Sequence, residues 1–172
     1  MLRSRRLPQI TGCVRVYATL DGGYTWAPRL FPDRPQTGAD PQVAFSPHGV
    51  AYFAALSRAT DGSGRRGTGL YFYRSEDGGL TWAKPTDLGI SYDHPQIAVD
   101  HTRRFAGRIY IGVLWGRDYS LGVFRSDDAG GHSQGPSKRS WRGVGQCVAV
   151  MVLSGDLAHT RIFRSIRPTR RN

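Results

Sequence analysis

Residues Arg74–Trp82 read RSEDGGLTW and close a short aromatic run, Leu70–Arg74 (LYFYR). The stretch has the chemistry of a locked turn. Asp77 has a short carboxylate that accepts hydrogen bonds from backbone N–H groups of the turn it begins. Gly78 and Gly79 take positive φ without a steric penalty. Ser75 and Thr81 carry hydroxyls that can tie the two arms together. Trp82 can fold its ring back over the turn, with an N–H that seeks an acceptor.

The turn recurs. Thr19–Trp26 is TLDGGYTW, Ser75–Trp82 is SEDGGLTW and Ser126–Ser133 is SDDAGGHS, with Asp21, Asp77 and Asp128 spaced 56 and 51 residues apart. The roles of Ser75, Asp77, Gly79, Thr81 and Trp82 pass to Thr19, Asp21, Gly23, Thr25 and Trp26. In the third copy only Ser126, Asp128 and Gly130 keep them, because His132 and Ser133 replace the Thr-Trp ending. A second signature keeps step: DPQVAFS from Asp40 and HPQIAVD from His94, after Asp93, are about 53 residues apart. Two signatures repeating in one order mark a repeat protein.

Between the turns, the patterning is that of strands. Gln42–Ser46, Val50–Ser57 and Leu70–Arg74 form one series, with a weaker fourth segment at Ala83–Leu88. Gln96–Val99, Arg108–Leu114 and Leu121–Arg125 form the next. A Gly/Ser/Arg stretch, Thr60–Gly67, reads as an exposed, mobile loop. No 3.6-residue apolar stripe competes before residue 130. The predicted class is all-β. Four strands per period of roughly fifty residues match one blade of a β-propeller, so the chain is expected to hold about two four-stranded blades. The expected divisions are an N-terminal extension (1–12), a partial propeller (13–131) and an off-pattern basic tail (132–172). Loss of the repeat after residue 131 reads as a tail foreign to it, such as a truncation or a shifted frame would leave. Too few blades to close also leave open edges, expected to pair with missing blades or to self-associate.

The S/T-x-D-x-G-x-T-W pattern, with DPQVAFSPHGVAYFAAL and DHPQIAVDHTRRFAGRIYIGVLW, resembles the Asp box and blade openings of the sialidase-like, or BNR-repeat, β-propellers, over roughly residues 13–131. The resemblance implies a structural role for the boxes on the outer edge. It further implies a glycoside hydrolase ancestry shared with non-enzymatic propellers, and a setting that in bacteria is often secreted or cell-surface. Sialidases hold the sugar carboxylate with three arginines, because planar guanidinium forks match a carboxylate. They use a Glu-activated Tyr as nucleophile and an Asp as acid/base. Only Arg6, in Arg6-Leu7-Pro8, loosely matches the first arginine. The single glutamate, Glu76, lies inside a box. No complete catalytic set is expected, and Arg6, Arg58 and Asp93 are the candidates left.

Asp40, Asp93 and His94 precede the inner strands and are the candidate ligand-binding residues. The plainer reading is that they cap their local turns. The expected partner is a glycan or a protein, with no cofactor and no metal, since His48, His101 and His132 have no ligand spacing and the EF-hand pattern is absent. The net charge of +11 suggests nucleic acid, but the excess is concentrated after residue 130 without a recognition motif beside it, so no specific nucleic-acid partner is expected. Cys13 and Cys147 form no framework. MLRSRRLPQITG is not a complete secretory signal, and Cys147–Leu153 is too short to span a bilayer.

Overall fold

A computed structural model describes residues 14–32, 38–117 and 119–139. They are all-β, with antiparallel pairing throughout. Strands β1 (Val16–Ala18) and β2 (Ala27–Leu30) pair as a small first sheet. The middle sheet runs in the order β3 (Ala39–Phe45), β4 (Ala51–Thr60), β5 (Arg66–Ser75), β6 (Thr86–Ile90). The last sheet repeats that meander with β7 (Tyr92–Val99), β8 (Ile109–Trp115), β9 (Ser120–Ser126) and β10 (Gln134–Arg139). Cys13, Cys147 and Arg6 lie outside the described residues. No helix among the described residues is long and apolar enough to cross a membrane.

The middle sheet is covered on both faces, which explains why Ala51–Leu56 (AYFAAL) is continuously apolar instead of alternating. All six residues are buried. Tyr52, Ala54 and Leu56 point to one side with Leu70 and Phe72, and there they meet Ile109, Ile111, Val113, Tyr92 and Phe124 of the last sheet. Phe53 and Ala55 point to the other side with Tyr73, against Val14, just before β1, and Val16 and Leu30 of the first sheet. Each fully buried aliphatic side chain in such a layer contributes roughly 1.5–3 kcal/mol. Aromatic pairs order both junctions: Tyr52 stacks with Phe72 at 5.9 Å, and Phe53 meets Trp82 edge-on at 6.0 Å.

Two regions differ from the sequence expectation. Thr60–Gly67 is no loose loop. β4 and β5 stay paired out to Thr60 and Arg66, and Asp61 closes the tip by accepting from the amides of Ser63 and Arg65 at 3.0 and 2.9 Å. The third period also runs beyond residue 131. Gln134–Arg139 pairs with β9, supplying a fourth strand where the pattern had faded. A strand needs only backbone pairing, so the polar sequence of β10 hid it.

Candidate functional site

The antiparallel order places the three aspartate turns at one end of the sheets and the starts of β3 and β7 at the other. At the turn end, Asp77 accepts from the Leu80 and Thr81 amides at 3.0 and 2.8 Å and from the Thr81 and Ser75 hydroxyls at 2.6 and 2.7 Å. The Gly79 amide donates to Ser75 Oγ at 2.8 Å, and Trp82 Nε1 donates to the Gly79 carbonyl at 3.1 Å. Asp21 repeats the arrangement through Thr19, Thr25, Gly23 and Trp26. Satisfying donors of this kind stabilise the charged carboxylate. The Thr81 hydroxyl and amide hold Asp77 well below the usual carboxylate range, and those of Thr25 do the same for Asp21.

The third turn keeps the lock despite its altered ending. His132 stands in the place of Thr81. Its amide donates to Asp128 Oδ1 at 2.8 Å, and its Nδ1 lies 2.6 Å from Oδ2. Ser126 and Gly130 complete the bonding as in the other two. The His132 amide and ring hold Asp128 below the carboxylate range. Ser133 has no ring to fold back, and a crevice opens there between Phe72, Leu88, Ile109, Phe124 and Gly130.

At the opposite end, β3 and β7 bring the candidate ligand-binding residues together. Asp40 and His94 occupy equivalent positions, each directly before a proline. Both adopt left-handed backbone, with φ of 48° and 47°. Such geometry is uncommon for non-glycine residues and costs on the order of 1–3 kcal/mol. In both strands the register shifts at this point, between Ala39 and Gln42 and between Asp93 and Gln96. A bulge of this type re-aims a side chain at a sheet edge. Here it sets His94 Nδ1 3.5 Å from Asp40 Oδ2 and His94 Nε2 3.8 Å from Asp93 Oδ2, with all three side chains reaching solvent. One donor atom from each lies within 4.8 Å of the others. Asp93 also accepts from the His94 amide at 3.0 Å, so it caps its turn as well as joining the cluster.

Two carboxylates flanking an imidazole present acceptors and a switchable donor on one small surface, suited to hydroxyl-rich or cationic groups. Arg58 lies near the end of β4, at this same end, and is exposed. A second cross-sheet tie, Arg65 Nη2 to Ser91 Oγ at 2.6 Å, joins the β4–β5 tip to the entry of β7. Glu76 lies at the turn end and pairs with Arg74. The cross-strand meeting of Asp40 with His94 is the element that spacing along the chain does not reveal. Its only sequence signal is that both residues precede Pro-Gln.

No protein-family profile matches this chain, and no curated protein matches it.

Proposed function

We propose that this chain is a section of a sialidase-like, Asp-box β-propeller, comprising about two four-stranded blades, and that it recognises glycans without hydrolysing them. The observation that carries the reading is the Asp40–Asp93–His94 cluster, built from the equivalent bulges of two successive inner strands. In a propeller the inner strands line the central funnel, so a polar cluster at their starts faces the ligand end. Three turns of one design at the opposite end, and sheets stacked face to face in a constant order, support the blade assignment. Against hydrolysis stands the missing Tyr/Glu pair. The one glutamate of the chain is held by Arg74 at the turn end, away from the cluster.

The test has two arms. A fluorogenic sialoside incubated with the purified chain is expected to show no turnover. Saturation-transfer NMR with lactose, a neutral and hydroxyl-rich glycan, is expected to show binding that Asp93→Asn and His94→Ala weaken at least tenfold while leaving circular dichroism unchanged. Hydrolysis abolished by those variants would replace recognition with catalysis. Binding indifferent to them would remove the cluster from the reading.

A further inference from the structure

We infer that the outer face of the last sheet is an association surface for a second copy of this chain, whose first sheet docks on it head to tail. The two junctions inside the molecule define what such a face receives. Counting from the aspartate turns, Tyr52, Ala54, Leu56, Leu70 and Phe72 of the middle sheet correspond to Tyr110, Gly112, Leu114, Leu121 and Val123 of the last. The first set is 0–6% exposed beneath the last sheet. The second set is only half-buried, and no further sheet lies over it among the described residues. Four of its five members carry large apolar or aromatic groups, in the same alternation that builds the internal junction.

The opposite end of the stack carries the matching half. In both internal junctions the covering sheet presents the other alternation, led by an aromatic on the strand before its aspartate turn: Tyr73 toward the first sheet and Phe124 toward the middle one. Tyr17 holds that position in the first sheet. Tyr73 and Phe124 are 4% and 3% exposed, whereas Tyr17 is 45% exposed, and Phe31, which Arg15 covers from 5.0 Å, is 41% exposed. A polar tie has a counterpart too. Arg74 Nε donates to the Ala129 carbonyl across the internal junction at 2.9 Å while pairing with Glu76. Arg125, paired with Asp127, occupies the place of Arg74, and Gly22 of the second copy occupies that of Ala129. One exposed face is therefore the donor half of a junction and the other the acceptor half. Contacts between unlike faces are heterologous, and they extend into rings or open chains. This association draws on the stacking geometry alone and stands or falls separately from glycan recognition.

Sedimentation velocity on the full chain across a wide concentration range tests it. The wild type is expected to associate reversibly. Leu114→Glu and Tyr17→Glu, each spoiling one face, are expected to weaken association at least tenfold. Mixed together they are expected to form a one-to-one heterodimer through the two faces left intact, which also shows that both variants fold. If either aggregates or unfolds, Val123→Lys and Phe31→Glu replace them in the same mixing experiment. A wild type that stays monomeric at all concentrations, or a mixture that gives no heterodimer, overturns the assignment. So does association that appears only when the chain is cut after Arg139, because residues 140–172 would then be the occupant of this face.

Discussion

The two sheet junctions are built to one plan and differ in one wedge. Between the first and middle sheets, Trp82 folds back from its turn and lays its ring edge against Phe53. Between the middle and last sheets, Ser133 takes that place and a crevice is left beside Phe72 and Ile109. The second junction compensates from its centre. It buries the larger cluster, with Tyr52, Leu56, Leu70, Ile109 and Val113 almost fully enclosed. Among the described residues, the aromatic wedge stands where a two-stranded sheet covers the junction and is missing where four strands meet four.

The largest effect expected is at the centre of the stronger junction. Leu56→Ala should destabilise by about 3 kcal/mol, because a void among packed side chains collapses only in part. Leu114→Ala, at the equivalent but open position, should cost about 1 kcal/mol or less. Urea unfolding at concentrations where the chain is monomeric gives both values, and equal costs would mean that the last sheet's outer face is already covered. Close approach at the turns comes next. A Cβ at Gly130 would lie 2.9 Å from Phe72 Cε1, and the residue has φ of 90°. Gly130→Ala should therefore cost about 2 kcal/mol through overpacking and backbone strain together. At Gly23 the nearest atom to such a Cβ is 3.8 Å away, so Gly23→Ala should show the smaller, purely conformational penalty of about 1 kcal/mol.

Filling the crevice is the constructive counterpart. Ser133→Trp should raise stability by about 1 kcal/mol if the ring adopts the pose of Trp82. Indole fluorescence shifted to the blue, with a higher melting temperature, would check it. The mildest effect is expected from acid. Asp21, Asp77 and Asp128 are held below the usual carboxylate range in the folded chain, whereas unfolded aspartate titrates near ~3.9. Below that pH the unfolded chain binds more protons, so the turns' contribution is complete above it and fades as pH falls toward the folded values. Melting temperature should decline below about pH 4, and Asp77→Asn should flatten that decline. A profile unchanged by the substitution would remove Asp77 as a source of the acid sensitivity.

The turns were legible because their bonding is local. Ser75, Asp77, Gly79, Thr81 and Trp82 lie within eight consecutive residues, and every bond of the lock closes inside that span. The strands of the middle sheet were legible for a related reason, since burial on two faces writes an unbroken apolar run such as Ala51–Leu56. The third turn shows the limit of pattern matching. His132 breaks the Thr-Trp signature yet delivers its amide and ring nitrogen to Asp128 just as Thr81 delivers its amide and hydroxyl to Asp77. β10 was invisible because its sequence carries no apolar alternation, and the Asp61 turn because Gly and Ser read as slack until a carboxylate gathers their amides.

The sequence by itself determined the repeat, the all-β class and the position of each aspartate turn, because these follow from side chains reaching backbone groups a few residues away. It also singled out Asp40, Asp93 and His94, but only as residues at strand entrances. That they form one cluster depends on β3 and β7 coming from different sheets and on two bulges turning Asp40 and His94 toward each other. The same holds for which face of each sheet is covered and which is left open. Those outcomes rest on contacts between residues about fifty positions apart, and only the stacking of the sheets brings them within reach.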